Sequence, residues 1–426
     1  MTRRPTCGWR LAGTVVLTLA VALLALNLSL GNKQVDGTFA HRYAVSEPQF
    51  PRSVGASLGR PLVPGNRVDE LINGTQIFPA MLEAIRSARR SITFETYIYW
   101  SGATGQAFSE ALAERARSGV KVHLLLDWIG GNLDDSLLDR MEAAGVVIRR
   151  YNAPRWDNLH RLNNRTHRKL LIVDGEVGFT GGAGIADAWQ GDAQGPAHWR
   201  DTHFRARGPV VTQLQAAFTD NWLQATGEVL HGAAYFPPLS EQGTMLAHVF
   251  TSAPGGGSES MQLMYLLSIT AATRSIDLSA AYFVPDDTAV AAIVAAVHRG
   301  VRVRIILPGP HIDVPMVRRA SRARWGDLLR AGVAIHEYQE TMYHCKLLVV
   351  DGLWVSFGST NFDNRSFVIN DEANMNVYDA DFARRQTAVF EDDLAHSRQV
   401  TLGEWQQRGW GDKVLDALAS LAGSQI

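Results

Sequence analysis

The chain has 426 residues, 46% of them hydrophobic, and its 41 lysines and arginines balance 42 aspartates and glutamates to leave a formal net charge of −1. That length and apolar content suffice for a large core or two fused domains. The charge balance excludes a general electrostatic drive towards nucleic acid, so any anion binding has to come from local clusters.

The first predicted element is apolar. Leu11 to Leu30 is interrupted only by small or polar residues such as Thr14, Thr18, Asn27 and Ser29, and about twenty helical residues span a bilayer core of roughly 30 Å. Arg3, Arg4 and Arg10 precede it and little beyond Lys33 and Arg42 follows, which puts the N-terminus in the cytoplasm and the remainder outside. Ala20-Val21-Ala22 resembles a signal-peptide cleavage site, but cleavage there would leave Leu23-Leu24-Ala25-Leu26 behind, so an uncleaved anchor over 1–31 is preferred. Residues 32–64, with Pro, Gly and Ser and no period, read as a tether or an extended wrap.

From residue 65 onward the sequence repeats itself. Ser87 to Phe94 answers to Ala271 to Leu278, Arg117-Ser118-Gly119-Val120 to His298-Arg299-Gly300-Val301, and Ala144-Gly145-Val146 to Ala331-Gly332-Val333, in the same order. Each half reads as alternating helices and buried β-branched strands, an α/β pattern. Helical spacing is clear at Ala80 to Ile85 and at Ala289 to Val294. The division falls into halves 65–236 and 237–426, joined near Pro237-Pro238. The first half carries an insertion, since Gly145 to His167 is 22 positions and Gly332 to His344 is 12.

Each half ends its repeat on a strand with the same chemistry: His167-Arg168-Lys169 running to Asp174, and His344-Cys345-Lys346 running to Asp351. In a strand the His and Lys share a face. Asp174 and Asp351 fall on the other parity and precede glycine, so a turn or structural role stands beside a direct catalytic one. Two such halves facing each other would supply two imidazoles and two ammoniums around one anion. One neutral imidazole can attack phosphorus while the other, protonated, serves the leaving alkoxide. The lysines stabilise charge on the non-bridging oxygens, so no metal or other cofactor is required. Cys345 has the opposite parity and is read as strand filler; with Cys7 lying before the apolar segment, no disulfide is expected.

With both motifs and the duplication in view, the chain resembles the phospholipase D superfamily, most closely its bacterial cardiolipin synthases. Phe94-Glu95-Thr96-Tyr97-Ile98, Asn163-Asn164-Arg165-Thr166-His167, Trp199-Arg200-Asp201-Thr202-His203 and Asn361-Phe362-Asp363-Asn364-Arg365-Ser366 carry the likeness further. The resemblance implies two fused α/β/α halves about a pseudo-two-fold axis, with the active site at their interface behind one transmembrane helix. It implies a phosphohistidine intermediate and an anionic lipid substrate, phosphatidylglycerol, which is both donor and acceptor while glycerol leaves. Carried over by position, His167 and His344 are nucleophile and general acid, with His167 chosen as the attacker, and Lys169 and Lys346 bind phosphate. Asp201 and Glu372 would orient the imidazoles, and Asn361, Ser359 and Gly182 would bind phosphate or orient the site.

One position departs from the pattern: Gly184 stands where the first half should match Asn361. The implied location is the bacterial inner membrane with the catalytic region outside, and no nucleic-acid partner. Phospholipase D hydrolysis, exchange with another acceptor, a nuclease of the superfamily and a non-enzymatic scaffold are the rival readings.

Two stretches bear on lipid contact. The first-half insertion holds Arg155, Trp156, His160, Arg161 and Arg165 before the motif, either a solvated basic loop or a headgroup-attracting one. The C-terminal stretch with Trp405, Trp410, Val414, Leu415, Leu418 and Leu421 reads as core packing, with a helix lying on the bilayer as the alternative.

Overall fold

A computed structural model describes residues 7–28, 40–154, 163–252 and 261–421. Helix α1 spans Cys7–Leu28, 22 residues. Its described side chains from Leu11 to Leu26 are mostly apolar and exposed. Among the described residues no helix is long and apolar enough to cross a membrane.

Of the stretch 32–64, read as a tether or a wrap, the described part is a wrap. Helix α2, Gln49–Ser57, buries Phe50 and Val54, and Val45 and Leu58 flank them in the same core. Phe50 meets Trp354 edge-on at 5.1 Å between ring centroids. The Val45 N–H donates to the Ala271 carbonyl at 3.0 Å.

The first half then runs β1 (Val63–Ile72), α3 (Asn73–Ser87), β2 (Ser91–Thr96), α4 (Ala103–Arg117), β3 (Lys121–Asp127), α5 (Asp135–Ala143) and β4 (Val147–Tyr151). Strands β5 (Lys169–Val173), β6 (Val177–Gly181) and β7 (Thr202–Arg207) and helix α6 (Val211–Thr226) complete it. The second half repeats the order with β8 (Met245–Ser252), α7 (Met261–Thr270), β9 (Ser275–Ala280), a short β10 (Phe283–Val284), α8 (Asp287–His298) and β11 (Arg302–Pro308). It continues through α9 (Pro315–Ala331), β12 (Ala334–Tyr338), β13 (Lys346–Val350), β14 (Trp354–Gly358), β15 (Phe362–Asp363), β16 (Glu372–Tyr378) and α10 (Ala380–Ala395). Last come β17 (Ser397–Val400), α11 (Leu402–Gln406) and α12 (Trp410–Leu421).

One 15-stranded sheet threads both halves in the order β17-β12-β11-β9-β13-β14-β16-β8-β1-β7-β6-β5-β2-β3-β4. Read outward from the central antiparallel pair β1 and β8, each half has the same succession of seven strands, with β17 added at the edge of the second, so the halves are related by a pseudo-two-fold axis through that pair. The motif strands β5 and β13 run antiparallel to β2 and β9, and the latter pair in parallel with β3 and β11. The start of each motif strand therefore shares an edge with the C-terminal ends of the parallel strands, where α/β sheets place their sites.

Helices cover both faces, which is why strands such as Lys169–Val173 and Lys346–Val350 are buried along their whole length. One core cluster belongs to both halves: Leu170 and Ile172 join Leu347 and Val349 in it, and Phe204 stacks on Phe357 at 3.7 Å between centroids.

Candidate active site

Each motif histidine is fixed by the opposite half. His167 donates its backbone N–H to the Asp371 carbonyl at 2.8 Å, and His344 donates its own to the Arg200 carbonyl at 2.8 Å. The residues after those carbonyls are Glu372 and Asp201, so each half delivers a carboxylate to the other half's imidazole. His167 Nδ1 lies 2.9 Å from Glu372 Oε1, and His344 Nδ1 lies 2.8 Å from Asp201 Oδ2. All four groups are buried. A carboxylate on Nδ1 fixes the proton there and leaves Nε2 as the reactive nitrogen.

The charges form one cluster. Burial pushes His167 down to about 4, against the pull of Glu372 and with help from Lys169 and Lys346. Burial and then Lys346 lower His344 too, against Asp201. Burial also lowers Lys169, to about 7, with Lys346 adding to it, and lowers Lys346. Burial alone would raise both carboxylates, but His344 and Lys346 hold Asp201 below its usual range, and His167 and Lys169 do the same for Glu372. Because Lys346 acts on both imidazoles, the two half-sites share one electrostatic environment. With both carboxylates held ionised on the Nδ1 side and both imidazoles lowered below their ordinary value, each histidine has an Nε2 free of a proton at neutral pH, the form that can attack phosphorus.

The half-sites differ in detail. Lys346 Nζ lies 3.3 Å from His344 Nε2, whereas Lys169 Nζ sits over the Tyr97 ring at 5.7 Å. Among the described residues nothing bonds to His167 Nε2. Ser359 Oγ donates to Glu372 Oε2 at 2.5 Å. Its counterpart Gly182 has no room for such a hydroxyl, since a Cβ there would lie 2.2 Å from Asp201 Oδ1. Trp189 supplies the missing donor, its Nε1–H reaching Asp201 Oδ2 at 2.8 Å.

The same indole occupies the space next to Gly184, where a Cβ would lie 2.7 Å from Ile98 Cβ and 3.3 Å from Trp189 Cη2. Asn361 is buried, and its Oδ1 has no hydrogen-bond partner among the described residues. The first half thus has an indole where the second has a serine and an amide.

Asp174 and Asp351, counted among the catalytic candidates, are corrected to structural residues. They lie at the far ends of β5 and β13, with positive φ of 55° and 54° in tight turns that continue through Gly175 and Gly352. Asp174 accepts from the backbone N–H groups of Arg89, Arg90 and Ser91, and Asp351 from those of Thr273, Arg274 and Ser275. Each ties a hairpin to the start of the neighbouring strand, at the end of a five-residue strand roughly 17 Å long that begins two positions after the motif histidine.

Cys345 is buried with its Sγ 3.7 Å from Thr202 Oγ1, and burial pushes its thiol up to about 12. Its first-half counterpart Arg168 is fully buried and 3.7 Å from Asp371. At the His344 half-site the buried guanidinium comes instead from Arg200, also of the first half, in a bidentate pair with Asp393 at 2.7 and 3.0 Å.

Sequence reasoning missed Trp189 and the aromatic surround, in which Tyr97 meets the His167 ring at 5.2 Å and Trp189 and Trp199 meet His344 at 5.2 and 5.4 Å. Tyr97 and Trp199 lay in quoted motifs, but nothing in the sequence aimed them at an imidazole. Of the basic insertion, Arg155, Trp156, His160 and Arg161 lie outside the described residues, while Arg165 Nη1 donates to the Tyr97 hydroxyl at 3.1 Å.

The comparisons agree with this architecture. A family model described as cardiolipin synthase, phospholipase D-like domain, matches residues 81–191 and 265–394, once in each half. A cardiolipin synthase of Geobacillus kaustophilus is 34% identical over 355 residues, covering 82% of this chain and 70% of that one. Cardiolipin synthase A of Pseudomonas syringae is 35% identical, over 81% of this chain and 72% of its own length. In fold, the chain is similar to the crystal structure of a phosphatidylserine synthase from Haemophilus influenzae, with a TM-score of 0.69 at 12% identity over 89% of this chain and 100% of that one.

Proposed function

The chain belongs to the cardiolipin synthase family with phospholipase D-like domains and is a phospholipid phosphatidyltransferase; on that premise we propose that it joins two phosphatidylglycerols and releases glycerol through a phosphohistidine. The observation that carries the reading is the exchange of carboxylates, in which each half orients the other's imidazole.

His167 Nε2 attacks the phosphorus of the first phosphatidylglycerol and forms the N–P bond. The bond from phosphorus to the headgroup glycerol breaks, and His344 Nε2 gives its proton to the departing oxygen. A hydroxyl of the second phosphatidylglycerol then passes its proton to His344 and attacks phosphorus, displacing His167. The Nε2 of His167, to which no described residue bonds, supports its choice as the attacker and leaves His344 as the acid. The incoming diester anion raises the proton affinity of His344, which is how a group that is neutral in the empty site becomes the acid.

Lys169, Lys346 and Asn361 act on the non-bridging oxygens, and Ser359 and Gly182 serve by shaping the carboxylates they face. From the apolar stretch Leu11 to Leu30 of the sequence and the arginines before it, we also propose an N-terminal anchor crossing the membrane once, with the catalytic region on the outer side.

Full-length protein in phosphatidylglycerol vesicles should form cardiolipin and glycerol in equal amounts, and His167→Ala or His344→Ala should lower the rate by at least about 10³-fold. Phosphatidic acid in place of cardiolipin would make the enzyme a hydrolase, and no turnover of the lipid would end the reading.

A further inference from the structure

Helix α12 is inverted relative to an ordinary surface helix. Its acidic side chain Asp416 is 1% exposed and turns inward, 3.4 Å from Arg319, 3.2 Å from Arg322 and bonded to Arg408. Ala419 packs beside it in a small cluster with Val317 and Val284. The outward side carries Trp410, Val414, Leu418 and Leu421, exposed by 82, 37, 57 and 80%. A water-facing helix distributes these types the other way round, and an apolar stripe on a helix held in place by ion pairs calls for a partner.

The contacts fix where the stripe leads. Asp412 and Asp416 meet Arg319 and Arg322, and Ala419 meets Val317, so the C-terminal end of α12 lies at the N-terminal end of α9. There Val314 and Met316 are 41 and 55% exposed, directly after Asp313. Asp313 stands at the mouth of the active site, for it accepts from the Tyr282 hydroxyl at 2.7 Å and its charge acts on His344 and Lys346. Exposed apolar surface therefore extends from α12 to the entrance. The five arginines of α9 each meet a carboxylate, whereas Lys413 of α12, exposed and three positions from Trp410, has no ion pair among the described residues. An outward lysine beside an apolar stripe with an exposed tryptophan matches an anionic bilayer surface.

From this continuity and charge we propose that α12 and the adjoining Val314–Met316 segment form a docking surface for an anionic lipid bilayer, seating the mouth of the site on the membrane so that headgroups enter laterally. The inference rests on the lipid-substrate reading above. Its occupant is the bilayer and not a second copy of the chain.

The test uses full-length protein carrying Cys7→Ser and Leu418→Cys, labelled with a fluorophore and placed in phosphatidylcholine vesicles with and without phosphatidylglycerol. Brominated lipids should quench this label about two-fold or more, strongest with phosphatidylglycerol present, while a label at Arg384→Cys on the opposite end of the molecule stays unquenched. Equal quenching at the two positions overturns the proposal, as does an unquenched Leu418 label that reports proximity between copies. Trp410→Ser with Leu418→Ser should lower turnover of vesicle phosphatidylglycerol about ten-fold and leave turnover of a monomeric short-chain phosphatidylglycerol within about two-fold. An equal loss on both substrates counts against docking. Quenching needs no catalysis and is measured also in the His167→Ala protein, so failure of the substrate reading would leave it in place.

Discussion

Trp189 makes the two imidazoles unequal. Its N–H to Asp201, at 2.8 Å, takes the place that the Ser359 hydroxyl holds on Glu372, and its ring stands edge-on to His344 at 5.2 Å. Gly184 is the partner of this arrangement, because a side chain there would press on Ile98 and on the indole itself. The absence of a second amide is then a consequence of the indole's space requirement, and Asn361 is left as the one amide of the two equivalent positions.

Trp189→Phe keeps the ring and removes the donor. Asp201 loses one of the bonds that hold it below the usual carboxylate range and concentrates its charge on His344, so the imidazolium gains stability. The basic limb of the pH–rate profile should move to higher pH, and kcat/KM should fall about ten-fold, the cost of one hydrogen bond to a charged group. A lowered rate with an unmoved basic limb would mean that Trp189 only packs.

At the scale of elements, α2 and α12 show what periodicity leaves open. Residues 40–62 have little helical pattern, yet Phe50 becomes fully buried against Trp354 and Tyr378 of the second half. The segment is ordered by what it covers, since His248 Nδ1 meets the Arg60 carbonyl at 2.8 Å and the Tyr378 hydroxyl donates to the Val45 carbonyl at 3.1 Å. Phe50→Ala should therefore cost about 3–5 kcal/mol of unfolding free energy in urea titration, whereas a loose tether would give no change. Helix α12 has an obvious amphipathic pattern, and its apolar side was read as facing the core. Asp416 reverses that, because three arginines on one side hold the helix by its charged face.

For the whole molecule the decisive feature is reciprocity. Neither half has a complete imidazole–carboxylate pair of its own, and the sheet is continuous through β1 and β8. The site is built only when the halves close. The proposed orientation on the membrane is open to measurement at Ser46, an exposed residue of the wrap. In a Cys7→Ser background, Ser46→Cys should react with a membrane-impermeant maleimide on intact spheroplasts. Reaction only after permeabilisation would place the catalytic region in the cytoplasm.

The α/β halves, their order and the paired His and Lys were legible because they depend on local periodicity and on a spacing that occurs twice. Strand parity also placed Cys345 away from the imidazoles, and the positions of Asp201 and Glu372 came through the family resemblance. For Asp174 and Asp351 the parity argument left two roles open, and the turn geometry chose the structural one. Trp189 could not be found in sequence, since its partner Asp201 and its neighbour Gly184 acquire meaning only once a loop folds over them. The sequence by itself determined which chemical groups exist and which face of a strand they share, because those follow from covalent order and backbone repeat. The tertiary structure alone decided which carboxylate serves which imidazole, which donor stands in for the missing serine and which side of α12 meets solvent, because these are contacts between residues brought together by packing.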